Sequence, residues 1–143
     1  APAAICRKVA YVPPSGGSVE VWGDGKQTRS FLFIDECIEA TRRLMDSDFQ
    51  GPVNIGSEEM VTIDELVDIT ARVANKVVTK VYDLSAPRGV MGRNSNNDLI
   101  RKELGWDYEQ SLEEGIKKTY GWISWEISKE IYSEENTMTV SNL

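Results

Sequence analysis

Hydrophobic and polar positions change period several times along the chain, and each change marks an element. Residues 3–9 (AAICRKV) suit a short helix entered through Pro2, whose missing N–H would have no helical partner in the first turn. Pro13-Pro14-Ser15-Gly16-Gly17-Ser18 is a loop. Val19-Glu20-Val21-Trp22 alternates like a half-buried strand, and Gly23-Asp24-Gly25 turns the chain. Residues 28–34 (TRSFLFI) read as a second strand, and their apolar end predicts burial on both faces.

Asp35 is placed to cap a helix through about Met45, with Ile38, Thr41, Leu44 and Met45 as its apolar side. Val53-Asn54-Ile55-Gly56 predicts a brief strand. Thr62-Ile63-Asp64-Glu65 has capping-box spacing and opens a helix whose stripe is Ile63, Leu66, Val67, Thr70, Val73 and Ala74. Residues 77–82 read as a strand and 87–94 (PRGVMGRN) as an irregular loop. Ser95-Asn96-Asn97-Asp98 caps a short helix that stops at Gly105, with Trp106 and Tyr108 anchoring the next link. Ser111-Leu112-Glu113-Glu114 is a second capping box. It opens a helix to about Ile131 that turns Leu112, Ile116, Tyr120, Ile123, Ile127 and Ile131 inward. Residues 1–132 thus form one domain, followed by a polar tail over 133–143.

The pattern is α/β, with short strands mixed among helices. It lacks the five or six long apolar strands of a complete doubly wound sheet. There is no GxGxxG and no GxxxxGK[ST], so the usual nucleotide-cofactor cradle is missing and the domain reads as half of a larger unit.

Composition narrows the chemistry. The 143 residues include no histidine, which excludes a catalytic His and an imidazole metal ligand. A formal net charge of −7 argues against a nucleic-acid surface. No run approaches the roughly 18 apolar residues of a membrane span. Cys6 and Cys37, with no CxxC, suggest neither zinc nor a disulfide scaffold, but two thiols in a reducing cytoplasm.

Three segments go beyond what folding requires. Gln27, Thr28 and Arg29 follow the GDG turn into an apolar strand, where a guanidinium wants an anionic partner. Arg93, ahead of a helix start, sets a fork-shaped donor beside amides without helical partners. Lys8 and Arg7 lie on the first helix and alone mark a wet face. Cationic side chains on turns of an acidic chain point to a small phosphate-bearing ligand, a diphosphate above all. No nucleophile–base pair is visible, so no catalytic residue is assigned.

These residues carry a family resemblance. Residues 22–36 (WGDGKQTRSFLFIDE) resemble the GDG-x-Q-x-R-x-F segment of nucleotide-sugar epimerases and dehydratases, the extended short-chain dehydrogenase/reductase family. Val53-Asn54-Ile55-Gly56-Ser57 resembles the family's N-[IVL]-G segment. Leu104-Gly105-Trp106, followed by Ser111 to Ile116, resembles its closing pattern. The likeness extends over about residues 1–130, and within the family it runs to the branch that epimerises GDP-mannose-like sugars at C3 and C5.

The resemblance implies the substrate-binding, C-terminal part of a Rossmann-type enzyme whose NAD-binding N-terminal half, Tyr-x-x-x-Lys pair and catalytic cysteine lie upstream. It implies Ala1 and Pro2 beside the substrate, Lys8 on the GDP moiety, and Gln27, Thr28 and Arg29 along the diphosphate pocket, with Arg93 as a second diphosphate ligand. Cys6 is not the family's catalytic cysteine. The opening Ala1-Pro2-Ala3-Ala4, without Met, is then expected to be a cut one residue past a catalytic lysine. NAD belongs to the parent enzyme, a homodimer by resemblance, and this chain is expected to bind none and to be inert alone. Two alternatives stay open: part of a UDP- or dTDP-sugar 4-epimerase or 4,6-dehydratase, and a non-enzymatic binding domain of the same fold.

Overall fold

The computed structural model describes the backbone of residues 1–140 and the side chains of residues 1–131. In chain order the elements are α1 (Pro2–Ala10), β1 (Gly17–Trp22), β2 (Thr28–Ser30), α2 (Ile34–Met45), β3 (Met60–Thr62), α3 (Ile63–Ala74), β4 (Val78–Asp83), β5 (Gly92–Arg93), α4 (Asp98–Leu104) and α5 (Leu112–Val140). They build two small sheets. β1 lies parallel to β4, from Gly17 opposite Val78 to Trp22 opposite Asp83. β2 sits between antiparallel β3 and parallel β5.

The larger core forms where α1, β1, α3 and α5 meet. Cys6, Val9, Leu66 and Val67 are completely buried there, and Ile116 nearly so. The stripe predicted for α3 packs into this core, and so do the inward residues of α5 from Leu112 to Ile127. Thr62 caps α3 through its side-chain oxygen, which accepts from the Glu65 amide, while Glu65 returns to the Thr62 amide. Ser111 and Glu114 make the same reciprocal pair ahead of α5. A second, smaller cluster holds Ala40, Ile100 and Trp106, with Leu32, Val53, Ile55, Leu104 and Tyr108 packed against it. α4 ends at Gly105, whose φ of 58° is the left-handed cap conformation.

Several expectations need correction. β2 ends at Ser30 rather than at residue 34, because its partner strands β3 and β5 are only three and two residues long. Beyond them Phe31 packs on the larger core and Leu32 on the smaller one, which explains the apolar run without a ladder. Helix α2 therefore begins at Ile34, with Phe33 at its N-cap and Asp35 in its first turn. Its buried residue is Ala40, while Ile38 and Met45 stay 59% and 80% exposed, so the predicted stripe is not the face that packs here. Residues 53–56 pair with no strand among the described residues. The Asn97 side chain binds this backbone instead, its Nδ2 donating to the Gly56 carbonyl at 2.8 Å.

The turn over Gly23-Asp24-Gly25 carries the chain from one sheet to the other, since β1 and β2 belong to different sheets. Helix α5 continues past Ile131, which is half exposed, to Val140. Of the predicted tail, residues 141–143 lie outside the described residues, as do the side chains from 132 onward.

Candidate functional site

The GDG turn links the two sheets, and close packing fixes its shape. Gly23 and Gly25 have φ of 79° and 72°, conformations costly for any residue with a Cβ. A Cβ on Gly23 would also run into the Arg88 side chain, and one on Gly25 into the Asp64 carboxylate. The chain then enters β2 with Gln27 and Thr28 already bonded. Gln27 Nε2 donates to the Trp22 carbonyl at 3.0 Å, and the Thr28 amide donates to the Met91 carbonyl at 2.8 Å.

Beside this turn opens a cleft of about 370 Å³. Ala1, at the N-cap of α1, and Ile5 and Lys8 within it form one wall, and Glu20 to Trp22 of β1 form another. Gln27, Arg29, Ile63, Pro87 and Arg88 complete it. Three cations, Lys8, Arg29 and Arg88, therefore face one carboxylate, Glu20, in a chain whose net charge is −7. Such local inversion of charge favours an anionic ligand.

Each cation is held differently. Lys8 Nζ donates to the Glu20 carbonyl at 2.9 Å and lies 3.4 Å from the Glu20 carboxylate, which also accepts from Trp22 Nε1 at 2.9 Å. Lys76 fixes the end of α1 that carries Lys8, donating to the Val9 and Ala10 carbonyls at 3.1 and 2.6 Å. Burial lowers the Lys76 pKa. Arg29 Nη1 and Nη2 donate to the Thr28 and Val90 carbonyls, each at 2.6 Å. Its partners are carbonyls, so its charge is not neutralised. Arg88 lies 3.5 Å from the Asp24 carboxylate. Gln27, 7% exposed, has a buried Oε1 with no partner among the described residues.

The structure thus brings Ala1, Lys8, Gln27 and Arg29 into one cleft. Pro2 opens α1 and Thr28 lies half-buried in β2, neither on the cleft wall. Arg93 is exposed on β5, also outside the wall, but it stands in register with Arg29 across the parallel ladder. Ladder partners share a sheet face, where like charges repel unless an anion lies between them. The expected free amides beside Arg93 need correction. The Asn97 amide donates to Glu58 at 2.9 Å and that of Asp98 to Asn96 at 3.0 Å, so these two amides at the α4 entry are engaged from within.

Arg88 is the cleft cation that the sequence did not single out. Its signal was present, a second arginine in the Pro87–Asn94 loop, but nothing in the spacing folds that loop back over Gly23. Cys6 is fully buried and burial pushes its thiol up to about 11, which leaves it unreactive at neutral pH. Among the described residues, no group of three or more His, Cys, Asp or Glu is placed to hold a metal ion. Nor is any described helix long and apolar enough to cross a membrane. A dinucleotide does not fit the glycine turn. That turn leads into a strand rather than a helix N-terminus, and the Asp64 carboxylate fills the approach to Gly25.

Residues 2–56 match the family model described as the NAD dependent epimerase/dehydratase family. GDP-mannose 3,5-epimerase from Arabidopsis thaliana is 48% identical over 130 residues, covering 91% of this chain and 33% of that protein. A probable GDP-L-fucose synthase from Oryza sativa subsp. japonica is 35% identical over 85% of this chain and 37% of its own length. Among solved structures, UDP-glucose 4-epimerase from Thermotoga maritima, crystallised with UDP-glucose, superimposes with a TM-score of 0.78 at 23% identity, covering 88% of this chain and 40% of that one. UDP-glucuronic acid 4-epimerase from Bacillus cereus gives 0.74 at 24% identity, over 85% of this chain and 40% of its own. These likenesses show the fold, a mixed α/β part of a larger Rossmann-type fold. The chain spans about a third of the length of the curated relatives it matches.

Proposed function

The chain belongs to the nucleotide-sugar epimerases of the NAD-dependent epimerase/dehydratase family, and from that membership we propose that residues 1–132 are the part that grips the substrate's nucleotide diphosphate. The observation that carries the proposal is the convergence of Lys8, Gln27, Arg29 and Arg88 on one cleft. Arg29 supplies the firmest grip: carbonyls orient its fork but leave its full charge for a phosphate. Gln27 Oε1 is a buried acceptor for a sugar or base donor. Lys8 screens the outer phosphate, and Arg93 meets it from the neighbouring strand. Ala1 and Pro2 border the sugar, and Thr28 holds β2 in register.

The likeness to GDP-mannose 3,5-epimerase favours a GDP-sugar as the ligand. In the parent reaction NAD would supply oxidation and re-reduction of the sugar. The glycine turn of this chain does not fit a dinucleotide, so no step of that chemistry is assigned to these residues. Here they bind and orient, and supply no acid, base or hydride carrier. NAD-binding partner sequence, a homodimeric parent and a reducing, cytoplasmic setting fit this proposal, and the two free thiols suit such a compartment.

Thermal-shift titration of the 143-residue chain with GDP, UDP and dTDP tests the assignment. The largest stabilisation is expected with GDP. A preference for UDP or dTDP would move the chain to the 4-epimerases or 4,6-dehydratases, and no response to any of them would reject nucleotide binding. The chain alone is expected to be catalytically inert, so measurable epimerisation of GDP-mannose by it would refute that part.

A further inference from the structure

The three cations of the cleft differ in how firmly the protein itself holds them. Arg29 makes two bonds of 2.6 Å to carbonyls, and Lys8 makes one of 2.9 Å to a carbonyl plus its contact with Glu20. Among the described residues Arg88 has only the 3.5 Å contact with Asp24, and the two side chains are 48% and 33% exposed. A long ion pair this open to water contributes little to stability, so Arg88 is the cation a ligand can redirect most cheaply.

Its delivery to the cleft is nonetheless built in. The segment between β4 and β5 is tied at both ends. Asp83 stands opposite Trp22 in the β1–β4 ladder, and the Met91 carbonyl accepts from the Thr28 amide. In between, the Val90 carbonyl is latched by Arg29, and Gly89, with φ of 69°, bends the loop. The aliphatic stem of Arg88 then crosses Gly23 so closely that a Cβ there would collide with it. A glycine turn shaped around an arginine stem, with the guanidinium loosely parked at the cleft rim, is an arrangement for a movable charge.

Building on the nucleotide-diphosphate reading of this cleft, we propose that Arg88 leaves Asp24 when the ligand binds and closes on its terminal phosphate. Asp24 is then the internal competitor that sets affinity. Arg88 thereby distinguishes a diphosphate from a monophosphate, because only the former extends to it past Arg29. Asp24 suits this role because its second oxygen, Oδ1, accepts from the Lys26 amide at 3.2 Å and keeps the turn in place. The carboxylate therefore stays put when Arg88 departs.

Calorimetric titration of the full chain with GDP and with GMP, using wild type, Arg88→Ala, Asp24→Asn and the double variant, tests this. Asn retains the turn acceptor but removes the competing charge. Loss of one charge-assisted phosphate contact should weaken GDP binding about tenfold in Arg88→Ala and leave GMP binding within about twofold of wild type. Asp24→Asn should tighten GDP binding about threefold, and the double variant should bind like Arg88→Ala alone, because the competitor no longer matters without its arginine. Circular dichroism checks that each variant is folded, and Arg88→Lys should recover part of the affinity because it keeps the charge without the fork. Equal losses for GDP and GMP in Arg88→Ala, or an Asp24→Asn effect that persists without Arg88, would overturn the proposal and leave the diphosphate site standing. Failure of wild type to bind either nucleotide would remove both.

Discussion

The two apolar clusters of this small domain are held by different chemistry. In the larger one, α1, β1, α3 and α5 bury aliphatic side chains almost without polar help. The smaller one buries Ala40, Ile100 and Trp106 beside a polar brace. Arg101 binds Glu58 at 2.6 Å and Asp107 at 2.7 Å, while fully buried Asn97 ties Glu58 to the Gly56 backbone. Lys8 rides on an element of the first cluster, whereas Arg93 leads into the second through β5 and the entry to α4. One side of the candidate ligand site thus rests on burial, which pH does not alter, and the other side leans on ionised groups.

Breaking the first cluster should have the largest effect. Leu66→Ala, at a fully buried position, should lower the unfolding free energy by about 2–5 kcal/mol in urea denaturation, with a similar penalty across mildly acidic and neutral pH. Gly25→Ala should cost about 1–3 kcal/mol through its left-handed backbone alone, before the clash with Asp64 is counted. That variant should also lose nucleotide binding, because the turn orients Gln27.

The brace should respond to pH where the apolar core does not. The Arg101 guanidinium beside Glu58, together with the Asn97 amide, holds the Glu58 carboxyl below its ordinary value. A depressed carboxylate contributes stability above its unfolded pKa of about 4.3 and loses it as the pH falls through the folded value. Glu58→Gln should therefore be less stable than wild type at pH 7, with the gap closing on acidification below about pH 4. A gap that stays constant would assign the brace no ionic role. The smallest effect on stability should come from exposed Arg93→Ala, within about 0.5 kcal/mol in the same assay, although its affinity for GDP should fall.

What the sequence revealed and what it hid follow the same division. Both capping boxes, the α3 stripe and the Gly105 cap depend on residues within a few positions of one another, and all stand as expected. The extent of β2 depends on how much partner strand β3 and β5 offer, which no local pattern near residue 30 records. For the same reason residues 53–56 looked like a strand: Val53 and Ile55 are apolar because they face the smaller cluster, and no ladder is involved. Ile38 and Met45 show the opposite failure, since their spacing is helical but the side of α2 that packs within this chain carries Ala40. At the site, charge reasoning pointed to Arg29 and the family likeness to Lys8 and Gln27, and the fold places all three on one cleft. Arg88 depended on a loop returning across the turn.

Calorimetric titration with GDP, comparing wild type with Arg29→Ala and with Arg43→Ala as a control outside the cleft, tests the site most directly. Arg43 is engaged with Glu39 on α2 and should not contribute. The expected result is saturable one-site binding by wild type and Arg43→Ala, weakened about tenfold or more in Arg29→Ala, as loss of a charged phosphate donor requires. Equal affinity in all three proteins would contradict the placement of the diphosphate in this cleft.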